Sequence, residues 1–228
     1  MSIALPGLRC KGRGFAKGNL QAGGLPVIVG AKEIAMKKLV IASDIHGSAH
    51  WCSKLLERFA AESEGHAPAD VRLLLLGDVL YHGPRNDLPT AYAPKEVIAM
   101  LNPLRERLFC VRGNCDGEVD QMVLNFPIMA DYALFSLGGR TVYATHGHHW
   151  NASTPPPLCK GDVLLYGHFH IPTCEKVALG DGTFTALNPG STSIPKNGSA
   201  HSCMVWEEGR VRWIDLDTGD VFMEWDGE

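Results

Sequence analysis

The sequence has no long apolar run, no paired cysteine spacing and no excess of basic charge. No stretch approaches the roughly 20 consecutive apolar residues that a membrane-spanning helix needs, so we expect no membrane association. The seven cysteines are scattered without any C-x-x-C pair, which argues against a disulfide framework and a zinc ribbon. With 21 basic and 25 acidic residues the net charge is −4, so we predict no stable nucleic-acid partner.

Residues 1–35 differ in composition from the rest of the chain. They carry five basic residues and a single acid, but they lack the run of about 7 to 15 apolar residues found in a secretory signal. We interpret them as a basic, glycine-rich extension of a domain formed by residues 36–228, with an organellar or regulatory leader as the alternative. Beyond this segment 16 basic residues face 24 acidic ones, so the domain itself is acidic. Because no secretory signal is evident, we expect a cytoplasmic protein.

Short apolar runs alternate with amphipathic stretches from Met36 onward. Continuous apolar runs are typical of strands buried on both faces. We predict such strands at 38–42, 71–76, 108–112, 141–145 and 163–166. We predict helices between them at 49–63, 94–107 and 116–125. Pro103 is expected to bend or end the second helix.

The second half of the chain has a different pattern. Two runs flank the turn Gly138-Gly139 and predict a β-hairpin over 132–145. Further strands are predicted at 183–187, 202–206 and 211–216. This is more strand than one sheet between helices needs. The predicted fold class is therefore α/β, with two packed mixed β-sheets flanked by helices.

Each of the five buried runs is followed by side chains that can bind a metal. In chain order these are Asp44, His46, Asp78, Asn114, His146, His168 and His170. Any one of them alone is explained as well by a helix cap, a turn or a surface histidine. Their recurrence after successive strands favours one site, because ligands collect at the carboxyl ends of strands in α/β folds. Oxygen and imidazole ligands without thiolate suit two ions of Mn²⁺, Fe or Zn²⁺ that share one carboxylate.

The order of these motifs resembles that of a known enzyme family. The chain contains Asp44-Ile45-His46, Gly77-Asp78, Gly113-Asn114-Cys115-Asp116, His146-Gly147-His148 and Gly167-His168-Phe169-His170. This series resembles the D-x-H, GD, GN-H-D/E, H and GH-x-H motifs of the calcineurin-like metallophosphoesterases, over residues 36–191. The resemblance implies the two-sheet sandwich of that family and a metal-dependent phosphoric diester hydrolase.

The resemblance also implies a role for each ligand. Asp44, His46 and His170 would hold one divalent ion. Asn114, His146 and His168 would hold the second, and Asp78 would bridge the two. A hydroxide between the ions would then attack a small phosphodiester in line. We expect Mn²⁺ at both positions, with Fe, Zn²⁺, Ni²⁺ and Mg²⁺ as alternatives.

The predicted catalytic residues are Asp78, Asn114, Cys115 and Asp116. Many family members have histidine where this chain has Cys115. A thiol, with an ordinary pKa of about 8.5, can in principle donate a proton, and a small packed turn residue is the alternative. Asp116 is expected either to cap the following helix or to assist the chemistry.

The loop after Asp78 supplies the predicted substrate-binding residues, His82, Arg85 and Asn86. Arg85 could form paired hydrogen bonds with a phosphate, or it could be an ordinary solvated arginine. A phosphomonoesterase or nucleotide phosphatase on the same site is the alternative enzyme. A non-catalytic scaffold is the alternative from another class, although scaffolds tend to lose metal ligands. A homo-oligomer, either a dimer or a tetramer, is also expected.

Overall fold

The computed structural model describes residues 36–227, and the extension predicted at residues 1–35 lies outside the described residues. The first half of the described chain alternates strands and helices. Its elements are β1 (Lys38–Ala42), α1 (Ala49–Ser63), β2 (Val71–Leu75), α2 (Pro94–Leu101), a 3₁₀ segment (Asn102–Arg107), β3 (Leu108–Cys110) and α3 (Glu118–Gln121).

The second half of the described chain consists of strands. They are β4 (Tyr132–Leu137), β5 (Arg140–Thr145), β6 (Val163–Leu165), β7 (Pro172–Leu179), β8 (Gly182–Pro189), β9 (Ser202–Glu207), β10 (Arg210–Asp215) and β11 (Val221–Trp225). Within residues 36–227, none of the helices combines the length and apolar character needed to cross a membrane.

The strands form two mixed sheets. The first has the order β11-β10-β9-β1-β2-β3, and the second has the order β4-β5-β6-β8-β7. Strands β1, β2 and β3 are parallel neighbours, as are β5, β6 and β8. Parallel neighbours end at the same edge of a sheet, so the loops that follow them lie side by side. The predicted α/β fold with two packed mixed sheets is confirmed by this topology.

Strand β1 shows why two layers form. All five of its residues are buried, and successive side chains of a strand point to opposite faces. Leu39 and Ile41 join a core shared with β5, β6 and β10 of both sheets, whereas Val40 and Ala42 join the core beneath α1 and α2. A strand that is apolar on both faces has to be covered on both faces, and the second sheet and the helices provide that cover.

Helices α2 and α3 are both shorter than the sequence-based prediction. Helix α2 ends at Leu101, and the chain continues as a 3₁₀ segment because Pro103 lacks the amide hydrogen that an α-helix uses. Helix α3 has four residues instead of the predicted ten. The Gln121 side chain hydrogen-bonds to the backbone of Leu124, Phe126 and Ile128. These hydrogen bonds stabilise a loop where further helical turns were predicted.

Two strands were absent from the prediction. Strands β7 and β11 lie at the edges of the two sheets, and most of their residues are exposed or half-buried. An edge strand needs little continuous apolar sequence, because only part of each face is covered. Strand β7 pairs with β8 and strand β11 with β10, so these two strands form by pairing with their neighbours.

Replacing Trp213 with Phe is expected to destabilise the fold more than replacing Trp206 with Phe. Trp213 is fully buried, and its Nε1 donates to the Asn188 carbonyl oxygen at 2.7 Å. Trp206 is buried too, but within residues 36–227 its Nε1 has no hydrogen-bond partner. We expect Trp213→Phe to lower the free energy of unfolding by about 1 kcal/mol more than Trp206→Phe, as measured by urea unfolding. Equal losses would show that the Asn188 hydrogen bond contributes nothing.

Candidate active site

The two sheets bring their strand ends together at one site. The loops after β1, β2 and β3 carry the ligands of the first sheet, and the loops after β5 and β6 carry those of the second. The converging side chains are Asp44 and His46, Asp78, Asn114, His146, and His168 and His170. All seven metal ligands expected from the sequence therefore face one region.

Asp44, His46 and His170 form the first group of candidate ligands. His170 Nε2 lies 3.0 Å from Asp44 Oδ1, and His46 Nε2 lies 3.4 Å from the same oxygen. Their ligand atoms all lie within 4.8 Å of one another. This spacing is what side chains around one ion require.

Asp78, Asn114, His146 and His168 form the second group. His146 Nε2 lies 3.0 Å from Asn114 Oδ1 and 3.2 Å from His168 Nδ1. Asp78 Oδ2 lies 3.4 Å from His146 Nε2 and 3.8 Å from His46 Nε2, which belongs to the first group. One carboxylate oxygen thus faces both groups, which is the position of a bridging ligand.

Five of these ligands have a left-handed backbone. Their φ angles are +59° at Asp44, +48° at His46, +54° at Asp78, +68° at His168 and +63° at His170. Residues other than glycine rarely adopt this conformation, and it costs on the order of 1 kcal/mol or more for each. The surrounding loops impose it. For example, the backbone amide of His46 donates to the carbonyl of Asp78 at 2.9 Å.

Backbone carbonyls orient three of the imidazoles. Nδ1 of His46 donates to the carbonyl of Tyr81 at 2.7 Å, Nδ1 of His146 to that of Leu76 at 2.6 Å, and Nδ1 of His170 to that of Ile194 at 2.8 Å. A carbonyl only accepts, so each Nδ1 carries a proton, and Nε2 is the ring nitrogen that faces the other ligands. Metal-binding histidines are oriented in this manner in many proteins.

Two buried polar atoms fit a cation. Asp44 Oδ2 accepts from Ser43 Oγ at 2.5 Å and from the His168 amide at 3.0 Å. Among the described residues, Asp44 Oδ1 and His46 Nε2 are buried without a hydrogen-bond partner. Unpaired polar atoms are costly in an interior, and a metal ion would satisfy both. The residues present therefore fit the divalent ions implied by the sequence.

Close packing of carboxylates and imidazoles shifts several pKa values. Burial acts to raise the pKa of Asp44, but its contacts with His170 and His46 outweigh burial and hold that pKa well below its usual range. Burial acts to lower the pKa of His146, whereas Asp78 and Asp44 together raise it to about 9. The site thus favours a negatively charged Asp44 and a positively charged His146. A bound cation would be stabilised by the same carboxylates and would take the place of the proton on His146.

Asp116 holds the loops after β2 and β3 together. Its buried carboxylate accepts from the backbone amides of Asp78 at 2.8 Å, Val79 at 2.9 Å and Gly113 at 2.8 Å. Gly117 occupies the N-cap position of helix α3, and its amide donates to Asp120 Oδ2 at 2.8 Å, so the expected capping by Asp116 is not observed. Its carboxylate faces the backbone beneath Asp78, and its participation in the chemistry stays a prediction.

Cys115 lies beside the bridging carboxylate. Its amide donates to Asp78 Oδ1 at 2.8 Å, and its Sγ accepts from Asn114 Nδ2 at 3.2 Å. Sγ lies within 4.8 Å of the ligand atoms of His46 and Asp78. Partial burial, together with the charge of Asp78, raises the pKa of the Cys115 thiol, so the thiol keeps its proton at neutral pH.

A cleft of about 550 Å³ opens over the ligands. Of the three predicted substrate-binding residues, Arg85 and Asn86 line this cleft and His82 does not. The His82 ring packs against Tyr81 and Tyr92 instead, at centroid distances of 4.9 Å and 5.2 Å, while its carbonyl accepts from Asn86 Nδ2 at 2.8 Å.

The cleft lining includes residues that the sequence did not predict as part of the site. Among them are the exposed side chains of Phe169 and Lys196. The position of Phe169 between two expected ligands is a signal that could have identified it. Lys196 carries no comparable signal, because it reaches the cleft only through the loop after β8.

The chain belongs to the calcineurin-like phosphoesterase superfamily. The model of the calcineurin-like phosphoesterase superfamily domain matches residues 36–209, a span that contains all the ligand-bearing loops. The family resemblance seen in the motifs is thus confirmed, and so is the expectation of a phosphoesterase enzyme with metal-binding residues.

The particular relatives include a bacterial phosphodiesterase. Phosphodiesterase YfcE of Escherichia coli (strain K12) is 46% identical over 189 residues, which cover 83% of this chain and 97% of that protein. A solved structure of YfcE, described as a phosphoesterase from E. coli, has a TM-score of 0.76 at 41% identity and covers 84% of this chain and 100% of that chain. Zn²⁺-complexed Vps29 from Entamoeba histolytica, at 18% identity over 84% of this chain and 99% of that one, has a TM-score of 0.50 and shares the fold.

Replacing Gly113 with Ala is expected to displace Asp78 from the site. A Cβ at position 113 would collide with the Asp78 carboxylate and with the Asp78 backbone nitrogen. We expect Gly113→Ala to bind less metal per chain than the unmodified protein, as measured by elemental analysis, and to lose about 1 to 3 kcal/mol of stability.

Gly117→Ala is the matched control, because it lies in the same loop. A Cβ there would meet its nearest neighbour, Asp120 Oδ2, at 3.7 Å, which is ordinary contact. Metal content should therefore match that of the unmodified protein. Full metal content in Gly113→Ala would mean that the site tolerates movement of Asp78.

Proposed function

We propose that the protein is a two-metal phosphodiesterase that acts on small phosphodiesters. The observation that carries the proposal is Asp78 Oδ2, which faces His46 of one ligand group and His146 of the other. Two groups of three candidate ligands on either side of one carboxylate suit two divalent ions better than one. The 46% identity to a protein named a phosphodiesterase supports the diester as the substrate class.

One ion would be held by Asp44, His46 and His170, and the other by Asn114, His146 and His168. Asp78 would contact both ions. When bound, two such ions neutralise phosphoryl oxygens and lower the pKa of a bound water. The protein's own contribution is orientation. Carbonyl-bound imidazoles present Nε2, and Asp116 keeps the backbone of Asp78 and Gly113 in place.

Cys115 is proposed to deliver a proton to the leaving ester oxygen. It lines the cleft, and a thiol with an ordinary pKa of about 8.5 is mostly protonated at neutral pH. A general acid must carry its proton at the working pH and lie within reach of the leaving group. Arg85 and Asn86, on the rim beside it, are proposed to bind the substrate phosphate or its ester arm.

Several finer features are part of the same proposal. We propose Mn²⁺ as the working ion, a cytoplasmic location, and assembly into a dimer or tetramer. Residues 1–35 are proposed to be an extension to the domain of residues 36–228. Because the candidate ligand set is complete, an enzyme is favoured over a non-catalytic scaffold.

Asp78→Asn is expected to abolish most diesterase activity. An amide supplies one weak oxygen ligand where the carboxylate supplies negative charge between two ions, so we expect turnover of bis(p-nitrophenyl) phosphate with Mn²⁺ to fall by about 100-fold or more. Metal content should fall in parallel. Asp87→Asn, an exposed carboxylate in the following loop, should change neither quantity.

The unmodified protein provides the complementary measurement. Exhaustive chelation should remove the activity, and added Mn²⁺ should restore it. Turnover that survives both chelation and Asp78→Asn would overturn the two-metal proposal. If p-nitrophenyl phosphate is hydrolysed faster than its diester under the same conditions, the phosphomonoesterase alternative is favoured.

Cys115→Ala is expected to affect diesters according to their leaving group. An alkoxide needs a proton as it departs, whereas p-nitrophenolate does not, and general acids contribute roughly 100-fold or more to such reactions. We expect a loss of about tenfold or more with an alkyl leaving group, and a loss of less than about threefold with p-nitrophenol. Cys159→Ala, an exposed thiol, is the control. Equal losses on both substrates would indicate that Cys115 serves only packing.

A further inference from the structure

Phe169 is an apolar side chain held at the rim of the cleft. It stands between the candidate ligands His168 and His170, whose φ angles are +68° and +63°. The Phe169 amide donates to the Gly167 carbonyl at 2.8 Å. This tight turn points the side chain away from the strand core, and 44% of the residue is exposed.

Contacts with neighbouring rings hold the Phe169 side chain in place. Its centroid lies 5.4 Å from that of His168, with an interplanar angle of 80°, and 5.9 Å from that of Tyr166, with an angle of 77°. Edge-to-face contacts of this kind are favourable aromatic pairs. The ring is therefore a positioned surface next to a candidate ligand.

The cleft has room for more than the phosphoryl group. Its volume of about 550 Å³ falls within the range of sites that enclose small organic molecules, roughly 300 to 1,000 Å³. A diester has two organic arms, and at least one of them must leave the ion site along the rim. Phe169, Lys196, Arg85 and Asn86 all line the cleft.

The charges at the rim suit an anionic ligand with a flat group. Within residues 36–227, neither Arg85 nor Lys196 forms an ion pair with an acidic side chain. Both cations are exposed and border the same cleft as the Phe169 ring. An aromatic ring that shares a cleft with cations suits the binding of a flat group attached to phosphate.

We infer that Phe169 forms a stacking subsite for a flat aromatic arm of the phosphodiester, of aryl or nucleobase type. The inference rests on the proposed function for the identity of the reacting group, but the subsite itself requires only that the metal-loaded protein bind a phosphoryl anion. A small aliphatic arm would gain little from the ring. The site should therefore prefer aromatic over methyl esters.

Binding of non-hydrolysable anions to the Mn²⁺-loaded full chain tests the subsite. Methylphosphonate and phenylphosphonate share one anionic group and differ in the organic group on phosphorus, which is a methyl group or a flat ring. The phosphonate analogue of thymidine 5′-phosphate, in which carbon replaces the ester oxygen, presents a nucleobase farther from the phosphorus. Calorimetry is expected to show phenylphosphonate binding about tenfold more tightly than methylphosphonate. In Phe169→Ala this ratio should fall below about twofold, whereas Phe169→Tyr should keep it.

Phe222→Ala is the matched control. Phe222 has the same exposure of 44% but lies on β11, away from the residues that line the cleft. It should leave the phenyl-to-methyl ratio unchanged. The metal content of each variant is measured first, so that displacement of His168 or His170 is not mistaken for loss of stacking.

The outcomes separate the subsite from the proposed function. An unchanged ratio in metal-loaded Phe169→Ala would overturn the subsite, even if diesterase activity is normal. A ratio that depends on Phe169 in a protein without diesterase activity would support the subsite and overturn the proposed function. If the phosphonate analogue of thymidine 5′-phosphate loses affinity in Phe169→Ala as phenylphosphonate does, the arm is of nucleobase type. A loss with phenylphosphonate alone identifies an aryl arm.

Discussion

The contact between the loops after β2 and β3 is the constraint on which the site depends. Asp78 can face both ligand groups only if the two loops touch, and Asp116 joins them through the backbone amides of Asp78, Val79 and Gly113. The approach leaves no room for a side chain at Gly113, where a Cβ would collide with Asp78. One buried carboxylate therefore positions another, and glycine is required at position 113 because a larger residue would collide with Asp78.

This geometry strains the backbone of the ligand residues. Five of them have positive φ angles, a conformation that a free chain would avoid. They keep it because each follows a strand buried in a two-layer core, and because the loop amides and carbonyls hydrogen-bond across the two sheets. The stability of the sandwich thus offsets local strain at the site, and unpaired atoms such as Asp44 Oδ1 are left ready for a cation.

Much of the fold and site could be predicted from particular residues. Strand β1 could be predicted because its run of apolar residues is typical of a buried strand. The end of helix α2 could be predicted because proline disrupts a helix at its own position in the chain. The edge strands β7 and β11 could not be predicted, because their sequences resemble those of loops. They are strands because they pair with β8 and β10. His82 was grouped with Arg85 and Asn86 because the three are close in the chain. Its ring packs against Tyr92, however, whereas Arg85 and Asn86 line the cleft.

The sequence by itself determined which residue types follow which strands, and this order was enough to indicate the family and a set of oxygen and imidazole ligands. Only the tertiary structure decided that Asp78 lies between the two groups, that Asp116 supports the backbone of Asp78, and that Phe169 and Lys196 share a rim. The physical reason is that periodicity records which faces of an element are buried, whereas distances between side chains on different loops depend on how two sheets pack.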